Sequence, residues 1–156
     1  MDHADLAKDL FLRGYNCAQA VTCAFCDVTG LPTEAAARLA SSFGGGLGRL
    51  REVCGTLSGA ALVLGIVRGY SDPADPLAKA AHYHRVQELA RRFREANGAI
   101  LCRELLRDVD VVPGDDPEPR TAEYYKRRPC PNLAWTAAHL LDEMLEREDP
   151  APEQKP

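Results

Sequence analysis

The chain has 156 residues, of which 46% are hydrophobic and 27% charged, and a formal net charge of −4. Those values suit one globular domain with a sizeable core, and the mild acidic balance speaks against nucleic acid or an anionic membrane surface as partner. The longest apolar run, Val53 to Val67, falls short of the roughly 20 residues that span a bilayer, so no membrane insertion is expected.

The opening MDHADLAKDLFLRG has no basic n-region and no long apolar stretch, which predicts a chain without signal peptide that stays in the cytoplasm. Leu6, Leu10 and Phe11 share one face of a first helix that stops at Gly14. A second helix starts near Asn16, carries Cys17, Val21, Ala24 and Val28 on one stripe, and ends at Gly30. Pro32-Thr33-Glu34 opens a third, which runs through Ala40. SFGGGLGRL is a glycine-rich break. A buried helix headed by Cys54 follows, with Leu50, Val53, Leu57, Ala61 and Leu64 on its face. YSDPADP is a turn, a long helix covers about Leu77 to Ala96, and Asn97-Gly98 closes it as a C-cap. A short helix follows Cys102, VVPGDDPEPR is a proline-rich loop, and a last helix after RPCPN carries Leu133, Ala137, Leu140, Leu141, Met144 and Leu145. No stretch alternates as a half-buried strand does. The reading is an all-α, compact single-domain multi-helix bundle around a long central apolar helix. Residues 1–148 form the domain, and 149–156 form a polar, disordered tail.

Six cysteines are many for such a chain. In a reducing compartment they serve packing, metal binding, or redox and nucleophilic chemistry. Cys17, Cys54, Cys102 and Cys130 all fall at expected helix starts, Cys130 just before Pro131. Unpaired N–H groups and partial positive charge at a helix N-terminus favour thiolate over thiol. Packing alone gives no reason for that placement. Cys23 and Cys26 lie inside the second helix, off the Cys17 stripe, and read as plain core residues. CAFC has no Gly-Pro centre and no following His, so it is neither a thioredoxin-like nor a haem-attachment motif.

Four blocks resemble a known family, the redox-active C-GCAxxG-C-C proteins with four signature cysteines and a CGAxxG motif. GYNCAQAV supplies Cys17, FGGGLGRLREVCGTLSGAALVLG supplies Cys54, Gly55 and Gly59, CRELL supplies Cys102, and CPNLAWTAAHLLDEML supplies Cys130. The resemblance runs from about Leu10 to Leu141 and implies redox activity at these four cysteines. Thr56 stands where the motif has Ala, which adds a hydroxyl near the sulfur.

Three functions compete. Four thiolates converging on one centre would suit an iron–sulfur cluster, or zinc, for electron transfer. The glycine loop, Gly45 and Gly46 within it, would let backbone approach a cluster, and Gly55 and Gly59 are counted with them as cofactor-facing positions. The spacings of 17, 54, 102 and 130 resemble neither zinc knuckles nor ferredoxin runs. Alternatively, cysteine pairs cycle between dithiol and disulfide, as in a thiol–disulfide oxidoreductase or relay. The third function is a helical binding domain with inert cysteines and no cofactor. A redox partner protein and a homo-oligomer are expected. His82, His84 and His139 read as structural, and the Gly44–Gly48 loop lacks the strand and GK[ST] of a phosphate site. Arg127 and Arg128 beside Cys130 either depress its pKa or form a solvated charge pair, and Glu52 is placed to cap the Cys54 helix.

Overall fold

A computed structural model describes residues 1–147; the tail read over 149–156 lies outside the described residues. Helices are the only regular elements among the described residues, apart from one isolated bridge between Val53 and Leu101. Helix α1 (His3–Leu12) is capped by Asp2, whose carboxylate accepts from Asp5 N–H, and buries Ala4, Ala7, Leu10 and Phe11. Helix α2 (Cys17–Ala24) begins with a capping box: Gln19 N–H donates to Asn16 Oδ1 at 2.9 Å, and Asn16 N–H donates to Gln19 Oε1 at 3.1 Å.

The second helix expected through Gly30 is two helices. Phe25 leaves helical geometry (φ −102°, ψ 20°), its ring fully buried against His3, and a short α3 (Cys26–Thr29) restarts beyond it. Anchoring one large aromatic, worth about 1.5–3 kcal/mol of burial, outweighs continuing the helical ladder through one residue. Val28, placed on the core stripe by the sequence, is exposed as a result. Helix α4 (Thr33–Ala40) follows Gly30 and Pro32 as expected.

After a 3₁₀ turn, Ser41–Phe43, the glycine segment winds left-handed. Gly45, Gly46, Leu47 and Gly48 of the turn α5 (Gly44–Leu47) and its cap all have positive φ, and so do Arg49 and Arg51. No right-handed helix can pass through such a segment. The Cys54 helix therefore starts only at Gly55, as α6 (Gly55–Arg68). Leu50 and Val53, expected on its face, precede it and are 67% and 37% exposed. Glu52 does not cap α6; its carboxylate pairs with Arg103 at 3.0 Å.

Helix α7 (Pro76–Asn97) has Asp75 as N-cap and Gly98 as left-handed C-cap. Then come α8 (Cys102–Leu105), α9 (Ala122–Arg127) and α10 (Cys130–Glu146). The core lies where α1, α2, α6 and α10 meet, closed by Leu89 and Phe93 of α7. Gly59 permits the closest crossing: a Cβ there would stand 2.6 Å from Ala18 O, so α6 and α2 touch backbone to backbone. No helix among the described residues is long and apolar enough to cross a membrane.

Candidate functional site

The starts of α2, α6, α8 and α10 meet at one end of the bundle. Cys17 and Cys130 are the first residues of α2 and α10, Cys54 is the N-cap of α6, and Cys102 is the first residue of α8. Two backbone hydrogen bonds bracket the Val53–Leu101 bridge: Cys54 N–H donates to Ile100 O at 2.8 Å, and Cys102 N–H to Glu52 O at 2.6 Å. They fix Cys54 opposite Ile100 and Cys102 opposite Glu52, which sets the two cysteines diagonally across the bridge. All six cysteines are free thiols.

Cys17, Cys102 and Cys130 line a cavity of about 270 Å³, together with the glycine loop, Arg49, Arg51, Glu118, Arg120, Tyr124 and Arg128. Cys54 lies just behind it, buried, with its Sγ 3.1 Å from Thr56 Oγ1; the hydroxyl that departs from the CGAxxG motif does reach the sulfur.

The four thiols do not share one acidity. Cys17 is lowered to about 6. Its leading cause is a hydrogen bond from the Cys130 thiol, helped by Gly45 N–H and the Arg120 guanidinium, against the cost of burial. Cys130 is raised well above an ordinary thiol, because it keeps the proton of that shared hydrogen bond and is buried. Burial pushes Cys54 up to about 12, and also raises Cys102 although Arg51 Nη1 stands 3.7 Å from its sulfur. Cys17 alone is lowered, and its neighbours Cys130, Gly45 and Arg120 lower it; the other three thiols at helix starts are raised. A partial charge of about +0.5 at a helix end does not offset taking a thiolate out of water.

The glycines divide by role. Gly45 donates its N–H to Cys17. Gly46, at φ 68°, leaves no room: a Cβ would lie 2.7 Å from both Cys102 Cβ and Glu52 N. A Cβ on Gly55 would lie 2.7 Å from Phe43 O and 3.1 Å from Cys17 Cβ. Gly59 belongs to the α2–α6 crossing, a turn further along α6.

Arg49, Arg51, Glu118, Arg120 and Tyr124 of the cavity were missed in the sequence, whereas Arg128 was singled out there. The Arg120 guanidinium lies 4.4 Å from the Phe11 ring centre and 4.9 Å from that of Tyr124, and it donates to Phe11 O and Tyr15 O. Arg128 takes the other side of Tyr124 at 4.8 Å and pairs with Glu118 at 2.8 Å. Arg128 is buried, while Arg127 is exposed beside Glu123. Arg120 and Arg128 flank the short helix α9 (Ala122–Arg127), one before its cap and one at its end, so no helical spacing in the sequence marked them. Arg49 donates to the carbonyls of Val112, Gly114 and Asp116, so the proline-rich loop is strapped across the cavity mouth.

Cys23 is buried in α2, with its thiol donating to Thr33 O at 3.7 Å, and Cys26 is half-buried at the start of α3 rather than inside α2. Neither lines the cavity. His82 packs by Tyr70, His84 is exposed, and His139 stacks on Trp135; none lines it either.

The family model described as "Putative redox-active protein (C_GCAxxG_C_C)" matches residues 15–144. The chain belongs to this family. The match covers all four cavity-end cysteines and the glycine loop. No curated protein matches the chain, and no solved structure does. Among the described residues, no three His, Cys, Asp or Glu side chains stand in an arrangement that could hold a metal ion.

Proposed function

We propose that this member of the redox-active family is a thiol–disulfide oxidoreductase whose working pair is Cys17 and Cys130. The observation that carries the reading is that these two free thiols line one open cavity and act on each other's acidity, with one partner's pKa lowered to about 6 and the other's raised. One thiol is thereby ionised near neutrality, and its neighbour keeps its proton until the Cys17 thiolate has been consumed. Cys17 is half-buried and the more accessible of the two.

The reaction balances with a disulfide substrate, RS–SR. Cys17 thiolate attacks one substrate sulfur; a Cys17–S–S–R bond forms, the substrate S–S bond breaks, and RS⁻ leaves. Cys130 gives its proton to that thiolate, its sulfur attacks Cys17 Sγ, and the second RS⁻ leaves. The substrate gains two electrons and the pair is oxidised to a disulfide. Cys102, on the cavity wall, and Cys54, buried behind it, are the second dithiol of a relay.

The test uses the reduced protein under anaerobic conditions with bis(2-hydroxyethyl) disulfide, read by peptide mass spectrometry. Wild type should form a Cys17–Cys130 disulfide. Cys130→Ala should instead accumulate the mixed disulfide on Cys17, and Cys17→Ser should do neither. A wild-type protein that forms no Cys17–Cys130 bond overturns the assignment.

The convergence of four thiols at one end of the bundle favours a second reading, an iron–sulfur cluster or zinc held by Cys17, Cys54, Cys102 and Cys130. The donor chemistry fits, but the side-chain arrangement does not, so no step is derived through a metal. Iron, zinc and sulfide analysis of protein purified without oxygen decides between the two. Matching iron and sulfide would move the assignment to a cluster.

A further inference from the structure

We infer that the substrate taken by this cavity is a small disulfide bearing carboxylates, recognised by Arg51 and Arg120; the inference rests on the thiol–disulfide reading above.

A cavity of about 270 Å³ is at the small end for ligand sites, which points to a small molecule rather than a protein loop. Its charged lining is four arginines, at 49, 51, 120 and 128, against Asp115 and Glu118, in a chain whose net charge is −4. Two of the arginines are committed: Arg49 and Arg128 both face Glu118, and Arg49 also holds the loop. The other two have no carboxylate partner among the described residues. Arg120 is anchored by two backbone carbonyls and aromatic rings. Arg51 reaches only the Cys102 sulfur, and its Nη1 would stand 3.7 Å from a Cβ on Gly45, the residue whose N–H meets Cys17.

Arg51 is also held at φ 60°, a left-handed conformation that a non-glycine residue adopts only at a cost. Its backbone is fixed there from both sides: its N–H donates to Gly45 O at 3.1 Å, and its carbonyl accepts from Arg103 N–H at 3.2 Å. An arginine with no carboxylate partner among the described residues, held beside the Cys102 thiol and the Gly45 loop, is what a substrate-orienting group requires. Guanidinium binds carboxylate through two parallel hydrogen bonds. A carboxylate engaged by Arg51 would bring its disulfide within reach of Cys17.

The test is a charge series of similarly small disulfides: 3,3′-dithiodipropionate (dianion), bis(2-hydroxyethyl) disulfide (neutral) and cystamine (dication). Each second-order rate at Cys17 is divided by that reagent's rate with free mercaptoethanol. The whole-chain charge and the Cys17 thiolate both favour the dication, so a preference for the dianion can come only from the local arginines. The dianion should react about tenfold or more faster than the dication at low ionic strength. The ratio should fall toward one at high salt and, severalfold, in Arg51→Gln. Equal rates, a cationic preference, or a ratio unmoved in a folded Arg51→Gln overturns the inference and leaves the thiol reading standing. Failure of all three reagents to react at Cys17 sinks that reading, and the inference with it.

Discussion

Cys17 and Cys130 carry the same functional group against the same cavity, yet they differ widely in acidity. The difference is in which sulfur receives hydrogen bonds. Cys17 accepts from Cys130 and from Gly45 N–H and feels Arg120; Cys130 accepts none that outweighs its burial, although Arg128 is close. The rate of Cys17 alkylation by iodoacetamide should therefore rise with pH through an inflection near 6 and be flat well above it. Cys130→Ala removes the leading cause, so the inflection should move up toward the ordinary thiol range, about 8.5. A profile unchanged in that variant would show that the loop and Arg120, not Cys130, make the thiolate. Sequence alone could place all four thiols at helix starts, because Asn16, Pro131 and the glycine loop mark those starts locally. It could not rank them. Rank depends on burial and on partners such as Gly45 and Cys130, 28 and 113 positions from Cys17, and no local pattern encodes those.

At the scale of the elements, the segment from Gly45 to Arg51 is the unusual one. It runs left-handed through Leu47, Arg49 and Arg51 as well as through its glycines, and its hydrogen bonds hold it in place: Arg51 N–H to Gly45 O, Glu52 N–H to Gly46 O. Helical periodicity of Leu50, Val53 and Leu57 had extended the next helix backward over this segment. A match at three positions does not test the sign of φ, and the glycines that require it carry no side-chain period. Two substitutions separate conformation from crowding here. Gly48 has φ 55° and open space around it, so Gly48→Ala should cost about 1 kcal/mol, the left-handed penalty alone. Gly46→Ala adds overlap with Cys102 Cβ and the backbone at Glu52, and should cost about 3 kcal/mol or more in urea unfolding. Equal losses at the two sites would mean the loop yields freely and does not fix Cys102. The facing element makes a parallel case. Arg49 ties the 112–116 carbonyls down, so Arg49→Ala should speed hydrogen exchange and proteolysis in that loop before the helices are affected. If protection in the loop is unchanged, the Glu118–Arg128 pair alone holds it.

The whole molecule is closed far from the cavity by one residue of the first helix. His3 donates or accepts at both ring nitrogens: Nδ1 lies 2.6 Å from Asp142 of α10, and Nε2 lies 3.0 Å from Asp27 of α3, while the ring stacks on Phe25 at 4.2 Å. It joins the two ends of the described chain to the break between α2 and α3. Burial works against a charged ring here, but the hydrogen bonds to Asp142 and Asp27, and their charges, outweigh it and hold the pKa above 6.5. The sign of the linkage follows. A raised folded pKa means the folded state binds the proton more tightly, so this stabilisation is fully present below the unfolded value of about 6.5. It is lost as pH rises through the higher folded value. His3→Gln keeps polar side-chain atoms and removes the charge. The variant should be less stable than wild type by about 1 kcal/mol near pH 5.5, a typical value for charge-assisted contacts that remain partly exposed. The deficit should shrink by about pH 9, where neither protein is charged at this position. Urea unfolding of both proteins at the two pH values reads the difference directly. A deficit independent of pH would mean that His3 stabilises the bundle by stacking on Phe25 and not by its charge, and the proposed clamp between α1, α3 and α10 would be wrong.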